Sequence, residues 1–175
     1  MKVGILALQG SFAEHGHVLK RLEVDFIWVR TLEELESVSH LIIPGGESTT
    51  MVKLLKMFDM WEVLKSRLES DDLKLFGTCA GAILCQYLGM DIEVERNAYG
   101  AQQGSFVGTL ESEFFSEIPG TFIRAPKFSH HGASVKVLAS HQDQPVLLED
   151  GPFLAATFHP ELTEENRIHK YFLNA

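Results

Sequence analysis

The 175-residue sequence is poor in cysteine, poor in positive charge and without a long apolar run. Its two cysteines, Cys79 and Cys85, fall in one predicted segment, so a structural disulfide is not expected. That usage fits a reducing, cytoplasmic setting. Fifteen Lys and Arg stand against 24 Asp and Glu, a net charge of −9. No basic stripe exists to neutralise phosphates, which argues against a nucleic-acid partner. The same deficit argues against an anionic membrane surface. The N-terminal apolar run Val3 to Leu8 stops at Gln9-Gly10, too short for a secretory core or a membrane span. What is present is 45% hydrophobic and 22% charged, an ordinary globular balance. The length favours one domain over 1–175 and permits a sizeable core. There is no repeat, low-complexity tract or linker.

The first half alternates short apolar runs with helical spacing. Strands are expected at Lys2–Ala7, Asp25–Val29, His40–Ile43 and Lys74–Thr78. Helices are expected at Phe12–Leu22, across Met51–Leu55, across Trp61–Leu68, and from Cys79 to Leu88. Thr31 and Glu34 have the spacing of a capping box opening a short helix. Such alternation implies a parallel sheet covered on both faces. The second half reads as strands at Ile92–Glu95, Ser105–Leu110, Thr121–Ala125, Val135–Ser140, Val146–Glu149 and Phe153–Phe158. Turn residues at 141–144 and 150–152 join the last three as hairpins. A closing helix is expected over Glu164–Leu173, capped by Thr163. The fold class is therefore α/β, three-layered, with a mixed sheet.

Gly77-Thr78-Cys79-Ala80-Gly81 lies between a strand and a helix. This is the layout of a nucleophile elbow, with cysteine in place of serine. Flanking glycines let backbone pass close, and the helix N-terminus favours a thiolate. The Ala80 N–H would face a developing oxyanion. The competing reading is a small buried cysteine in a glycine-rich turn. Cys85, among Ile83, Leu84 and Leu88, reads as core packing.

A nucleophilic thiol needs an imidazole, and the imidazole needs a carboxylate. His159 ends an apolar strand and is followed by Pro160 and Glu161. Extended backbone would turn residues 159 and 161 to one side. The competing reading is a strand-terminal histidine entering a loop. The other histidines read as solvated: His15 and His17 on a surface helix, His40 at a strand start, His130 and His131 in a polar loop, His141 in a turn, His169 on the last helix. Neither His15-x-His17 nor His130-His131 has partners at familiar metal-ligand spacing, so no metal site is expected.

Pro44-Gly45-Gly46-Glu47-Ser48-Thr49 follows a buried strand and precedes a helix. It lacks the lysine of a phosphate loop. A second oxyanion donor at the Gly-Gly pair fits better, with Glu47 and Ser48 near the charged end of an amino acid. A plain helix-capping turn remains the alternative.

Together these residues resemble a class I, triad-type glutamine amidotransferase, and more closely the glutaminase subunits of pyridoxal phosphate synthase. The matching segments are 6–10, 41–51, 76–81, 94–97, 122–126 and 158–162, in the family's order. The resemblance implies a flavodoxin-like fold and a triad of Cys79, His159 and Glu161. It implies glutamine contacts from Gly46, Glu47, Ser48, Arg96, Ile123 and Arg124, and an oxyanion hole at Gly46 and Ala80. It places Gln9 and Gly10 where a synthase subunit docks, implies little activity without that subunit, and implies no cofactor. Two departures stand out: a short connection at Leu88-Gly89-Met90, and Ala101 where the family has arginine. The remaining rivals are an amidotransferase subunit for another acceptor, a stand-alone γ-glutamyl hydrolase, and a catalytically silent scaffold.

Overall fold

The structure is a computed structural model that describes residues 1–96 and 104–174. Ala101 lies outside the described residues. The elements follow in order: β1 (Val3–Leu6), α1 (Phe12–Arg21), β2 (Phe26–Val29), α2 (Leu32–Glu36), β3 (His40–Ile43), α3 (Ser48–Met57), α4 (Trp61–Glu69), β4 (Lys74–Thr78) and α5 (Ala80–Tyr87). The second half holds β5 (Ile92–Glu95), β6 (Ser105–Leu110), β7 (Ile118–Ile123), β8 (Lys127–His131), β9 (Lys136–His141), β10 (Gln144–Asp150), β11 (Phe153–Ala156), a 3-10 turn (Pro160–Leu162) and α6 (Arg167–Asn174).

Among the described residues, seven strands form one mixed sheet in the order β2-β1-β3-β4-β11-β10-β9. The pairs from β2 through β11 are parallel, and the β11–β10 and β10–β9 pairs are antiparallel, so that β10 alone runs against the other six. The expected hairpins of the last three strands are present. Successive residues of one strand divide between two apolar clusters: Leu6, Leu41, Ile43 and Leu75 in one, Ile5, Ile42 and Phe76 in the other. This is the period-two alternation of a sheet buried on both faces. Leu55 of α3, Leu64 of α4 and Leu84 of α5 cover the first face. Leu19 of α1 and Phe172 of α6 cover the second.

Local chemistry sets the element ends. The Glu34 N–H donates to Thr31 Oγ1 at 3.2 Å, and the Thr31 N–H donates to Glu34 Oε2 at 3.0 Å, completing the expected capping box. Helix α5 stops where Gly89 takes φ +116°. There the Gly89 N–H donates to the Gln86 carbonyl and Met90 to the Cys85 carbonyl, a Schellman closure that makes the short 88–91 connection possible.

Several boundaries differ from expectation. β7 begins at Ile118, because Pro119 and Gly120 sit in a two-stranded ribbon with β6, where a missing N–H is tolerated. β8 was not expected; it pairs with β5 in a second ribbon and carries His130 and His131 out of their supposed loop. β11 ends at Ala156, two residues before Phe158. The last helix starts at Arg167, not Glu164, and Thr163 does not cap it. Thr163 Oγ1 accepts from the Glu165 N–H, and Glu165 Oε1 in turn accepts from the Arg167 N–H at 2.6 Å.

Candidate active site

The carboxyl ends of β1, β3, β4 and β11 converge on one cavity of about 510 Å³. This is the edge of an open α/β sheet at which ligands collect. Gly10, Gly46, Cys79 and His159 line it from those four strand ends.

Cys79 stands between β4 and α5 with φ 52° and ψ −106°, a strained conformation for a residue with a side chain. Its N–H donates to the Ala156 carbonyl of β11 at 2.8 Å, which pins the turn to the neighbouring strand. A Cβ on Gly77 would collide with the Gly81 carbonyl, and one on Gly81 with the Ile43 carbonyl. The two glycines of the elbow are thus required by close backbone approach. Ala80 begins α5, so its N–H has no intrahelical acceptor and is available to the cavity. Cys85 is fully buried, and burial pushes its thiol up to about 12, in keeping with a packing role.

The β11 and β4 strands pair Ala156 with Thr78, which brings the chain leading to His159 alongside Cys79. The His159 N–H donates to the Thr121 carbonyl at 2.8 Å. Its Nδ1 lies 2.6 Å from Glu161 Oε1, and the Cys79 thiol, whose Sγ donates to the Ile123 carbonyl at 3.9 Å, stands close enough to its ring to bear on its pKa. The approach of residues 159 and 161 does not come from strand alternation. Pro160 opens a 3-10 turn, and that turn folds the carboxylate back onto the imidazole. Burial alone would depress the His159 pKa. The hydrogen bonds and charges of Cys79 and Glu161 outweigh it and raise the value to about 10. For Glu161, burial acts upward, but neighbouring His15 and the hydrogen bond and charge of His159 bring it down to about 2.

The other expected contact residues meet the same cavity. Gly46, Glu47 and Ser48 line it after β3, Arg96 after β5, and Ile123 and Arg124 at the end of β7. The Glu47 carboxylate accepts from the Thr49 and Thr50 N–H groups and so caps α3, with its pKa lowered to about 2 chiefly by the Thr50 hydroxyl. The capping alternative and the cavity position therefore both hold for Glu47. The Arg96 guanidinium donates to Tyr87 Oη at 2.8 Å. Arg124 takes φ 45° and is exposed. Gln9 Oε1 accepts from the Glu47 N–H at 2.9 Å, and Gly10 is exposed at the rim. Among the described residues, no group of three or more His, Cys, Asp or Glu is placed to hold a metal ion, and no helix is long and apolar enough to cross a membrane.

Two histidines expected to be solvated are not. His15 and His169 are fully buried behind the carboxylate of Glu161. Their ring nitrogens lie 2.9 Å apart, and His15 Nε2 lies 3.6 Å from Glu161 Oε2. A signal for this existed in the sequence. His15 falls three residues after Phe12 and four before Leu19, and His169 falls three before Phe172, both on apolar helical faces. Ser11, whose hydroxyl lies 3.4 Å from Glu161 Oε1, carried no such signal.

Residues 5–175 match the model of the SNO glutamine amidotransferase family. The chain is 48% identical to the pyridoxal 5'-phosphate synthase subunit PdxT of Thermosipho africanus, over 99% of this chain and 98% of that protein. It is 48% identical to the subunit of the same name from Thermus thermophilus, over 98% and 95%. A crystal structure described as a glutamine amidotransferase superposes with a TM-score of 0.93 at 47% identity, covering 98% of this chain and 97% of the other. The structure of PurLQS from Thermotoga maritima shares the fold, with a TM-score of 0.78 at 14% identity.

Proposed function

Because the chain belongs to the SNO glutamine amidotransferase family, we propose that it hydrolyses L-glutamine to L-glutamate and supplies the ammonia to a pyridoxal phosphate synthase subunit. The observation that carries this reading is the placement of Cys79 on its elbow beside a His159 already paired with Glu161, in a cavity that also holds two arginines.

In the proposed reaction, His159 holds the proton of Cys79, and the thiolate attacks the side-chain amide carbon of glutamine. The N–H groups of Ala80 and Gly46 receive the oxyanion, each worth about 3–4 kcal/mol. His159 passes its proton to the amide nitrogen, the C–N bond breaks, and ammonia leaves. Water, losing a proton to His159, then cleaves the glutamyl thioester and regenerates the thiol. Glu161 keeps the His159 proton on Nδ1 throughout. Arg96 and Arg124 suit the α-carboxylate of the substrate, while Glu47, Ser48 and the Ile123 backbone border its other end.

The names of the relatives support a place in vitamin B6 synthesis. The docking face for the synthase subunit would include Gln9 and Gly10, beside the cavity mouth. We read residues 1–175 as one working domain without cofactor, in a reducing, cytoplasmic setting that suits its free thiol.

Ammonia release from glutamine, measured with and without a pyridoxal phosphate synthase subunit, tests the reading. Strong release only with the partner is expected, abolished in Cys79→Ala. Strong release by the chain alone would point to an independent hydrolase. Activity surviving in Cys79→Ala would sink the thiol mechanism.

A further inference from the structure

Glu161 has two carboxylate oxygens, and the reaction above uses one. Oε1 accepts from His159 and lies within reach of Ser11. Oε2 is buried with no hydrogen bond, and the nitrogen facing it is His15 Nε2 at 3.6 Å. The same Nε2 lies 3.1 Å from Thr78 Oγ1, one residue before the nucleophile. On its other side, His15 Nδ1 lies 2.9 Å from His169 Nε2, and His169 Nδ1 has no partner.

These contacts decide where the protons sit. Burial pushes the pKa of His15 down, with the Glu161 charge opposing it, and burial together with His15 drives that of His169 to about 3. At pH 7 both rings are therefore neutral, with one N–H each. If His15 carried its proton on Nδ1, His169 would have to carry its own on Nδ1, a buried N–H without an acceptor. The bare His15 Nε2 could then accept from the Thr78 hydroxyl, but it would still face Oε2 at 3.6 Å lone pair against lone pair. If His169 instead donates from Nε2 to His15 Nδ1, the group left over is only an acceptor, and His15 turns an N–H toward Thr78 and Oε2. Leaving an acceptor unpaired costs less than leaving a donor unpaired.

We propose that His15 is a positioning residue for the triad: His169 fixes its proton on Nε2, and that N–H holds Oε2 so that Oε1 stays turned to His159. Hydrogen bonds that are long in a resting site shorten as charge develops. The arrangement runs from α6 through α1 to the 3-10 turn, so the two helices on one face of the sheet reach the chemistry through one imidazole pair. The groups facing His15 are Glu161, His159, Glu14 and His169, and His169 also senses Arg21.

The proposal rests on the triad reading, and the test separates the two. Alkylation of Cys79 by iodoacetamide is followed against pH by mass spectrometry in the full chain. His159→Asn should lose the wild-type profile; if it does not, the triad reading fails. The sharper comparison is His15→Gln against His15→Asn. The Gln amide nitrogen reaches the place of Nε2, whereas the Asn amide nitrogen reaches only that of Nδ1. We expect His15→Gln to stay within about threefold of wild type at pH 7. His15→Asn should slow about tenfold, its profile moving alkaline by about one unit. His169→Leu, which frees the His15 tautomer, should fall between them. A wild-type profile in His15→Asn, or an equal loss in Gln and Asn, would overturn the proposal while leaving the triad intact.

Discussion

An alanine at Gly45 would set its Cβ inside 3.0 Å of His159 Cε1, 3.2 Å from Nδ1 and 3.3 Å from the Cys79 Cβ. Carbon atoms rest at about 3.5–4.0 Å, so the ring must retreat by about 1 Å. It cannot do so freely, because Nδ1 is held at 2.6 Å by Glu161 and the His159 N–H is tied to Thr121. A misplacement of about 1 Å at a reacting group costs on the order of 100-fold in rate, or about 2.7 kcal/mol of barrier. Overpacking should also remove about 1–3 kcal/mol of stability. The assay is steady-state glutamine hydrolysis with the synthase subunit present, alongside urea unfolding to confirm that the variant is folded. The expected result is a kcat lowered about 100-fold with KM changed far less, since the methyl group points at His159 and Cys79 and not at the arginines. A folded Gly45→Ala protein with kcat within about threefold of wild type would refute the geometry described for His159 and Cys79.

Glu161→Gln should lower kcat by about two to four orders of magnitude, because an amide no longer enforces the His159 tautomer. The wild-type carboxylate, depressed from 4.5 to about 2, contributes stability that is full above pH 4.5 and lost as pH falls toward 2. Urea unfolding at pH 7 and pH 3 should therefore show a smaller acid-side loss in Glu161→Gln than in wild type, the remainder coming from other depressed carboxylates such as Glu47. Thr31→Ala should cost about 1 kcal/mol through loss of the capping box, without change in kcat; a thermal melt paired with the ammonia assay checks both.

Much of this molecule was legible in its sequence because apolar runs end abruptly at glycines. His40–Ile43 and Lys74–Thr78 have the expected bounds, and the loops after them carry Gly45 and Cys79. The elbow and the His159–Glu161 pair were legible because their spacing is local. What failed was set by partners far away in the chain. β8 reads as polar because only one side of a two-stranded ribbon is covered: Phe128 is buried while Ser129 and His130 are exposed. His15 looked like a surface residue because its partner His169 is 154 positions distant. The apolar faces of α1 and α6 carried the hint, but a histidine on such a face has no meaning until the two helices meet. The 3-10 turn at Pro160 was likewise invisible, since proline fits both an extended strand end and the first turn of a helix.

The position of β11 in the sheet has a consequence for synthesis of the protein. It is the last strand in the chain yet lies between β4 and β10, and its carbonyl at Ala156 pins the turn that strains Cys79. A growing chain can form β1 to β4 early, but its thiol has neither base nor locked elbow until the final strand is inserted. The reactive centre therefore comes into being only in the finished fold, and recovery of Cys79 reactivity during refolding is a clock for the closing of the sheet.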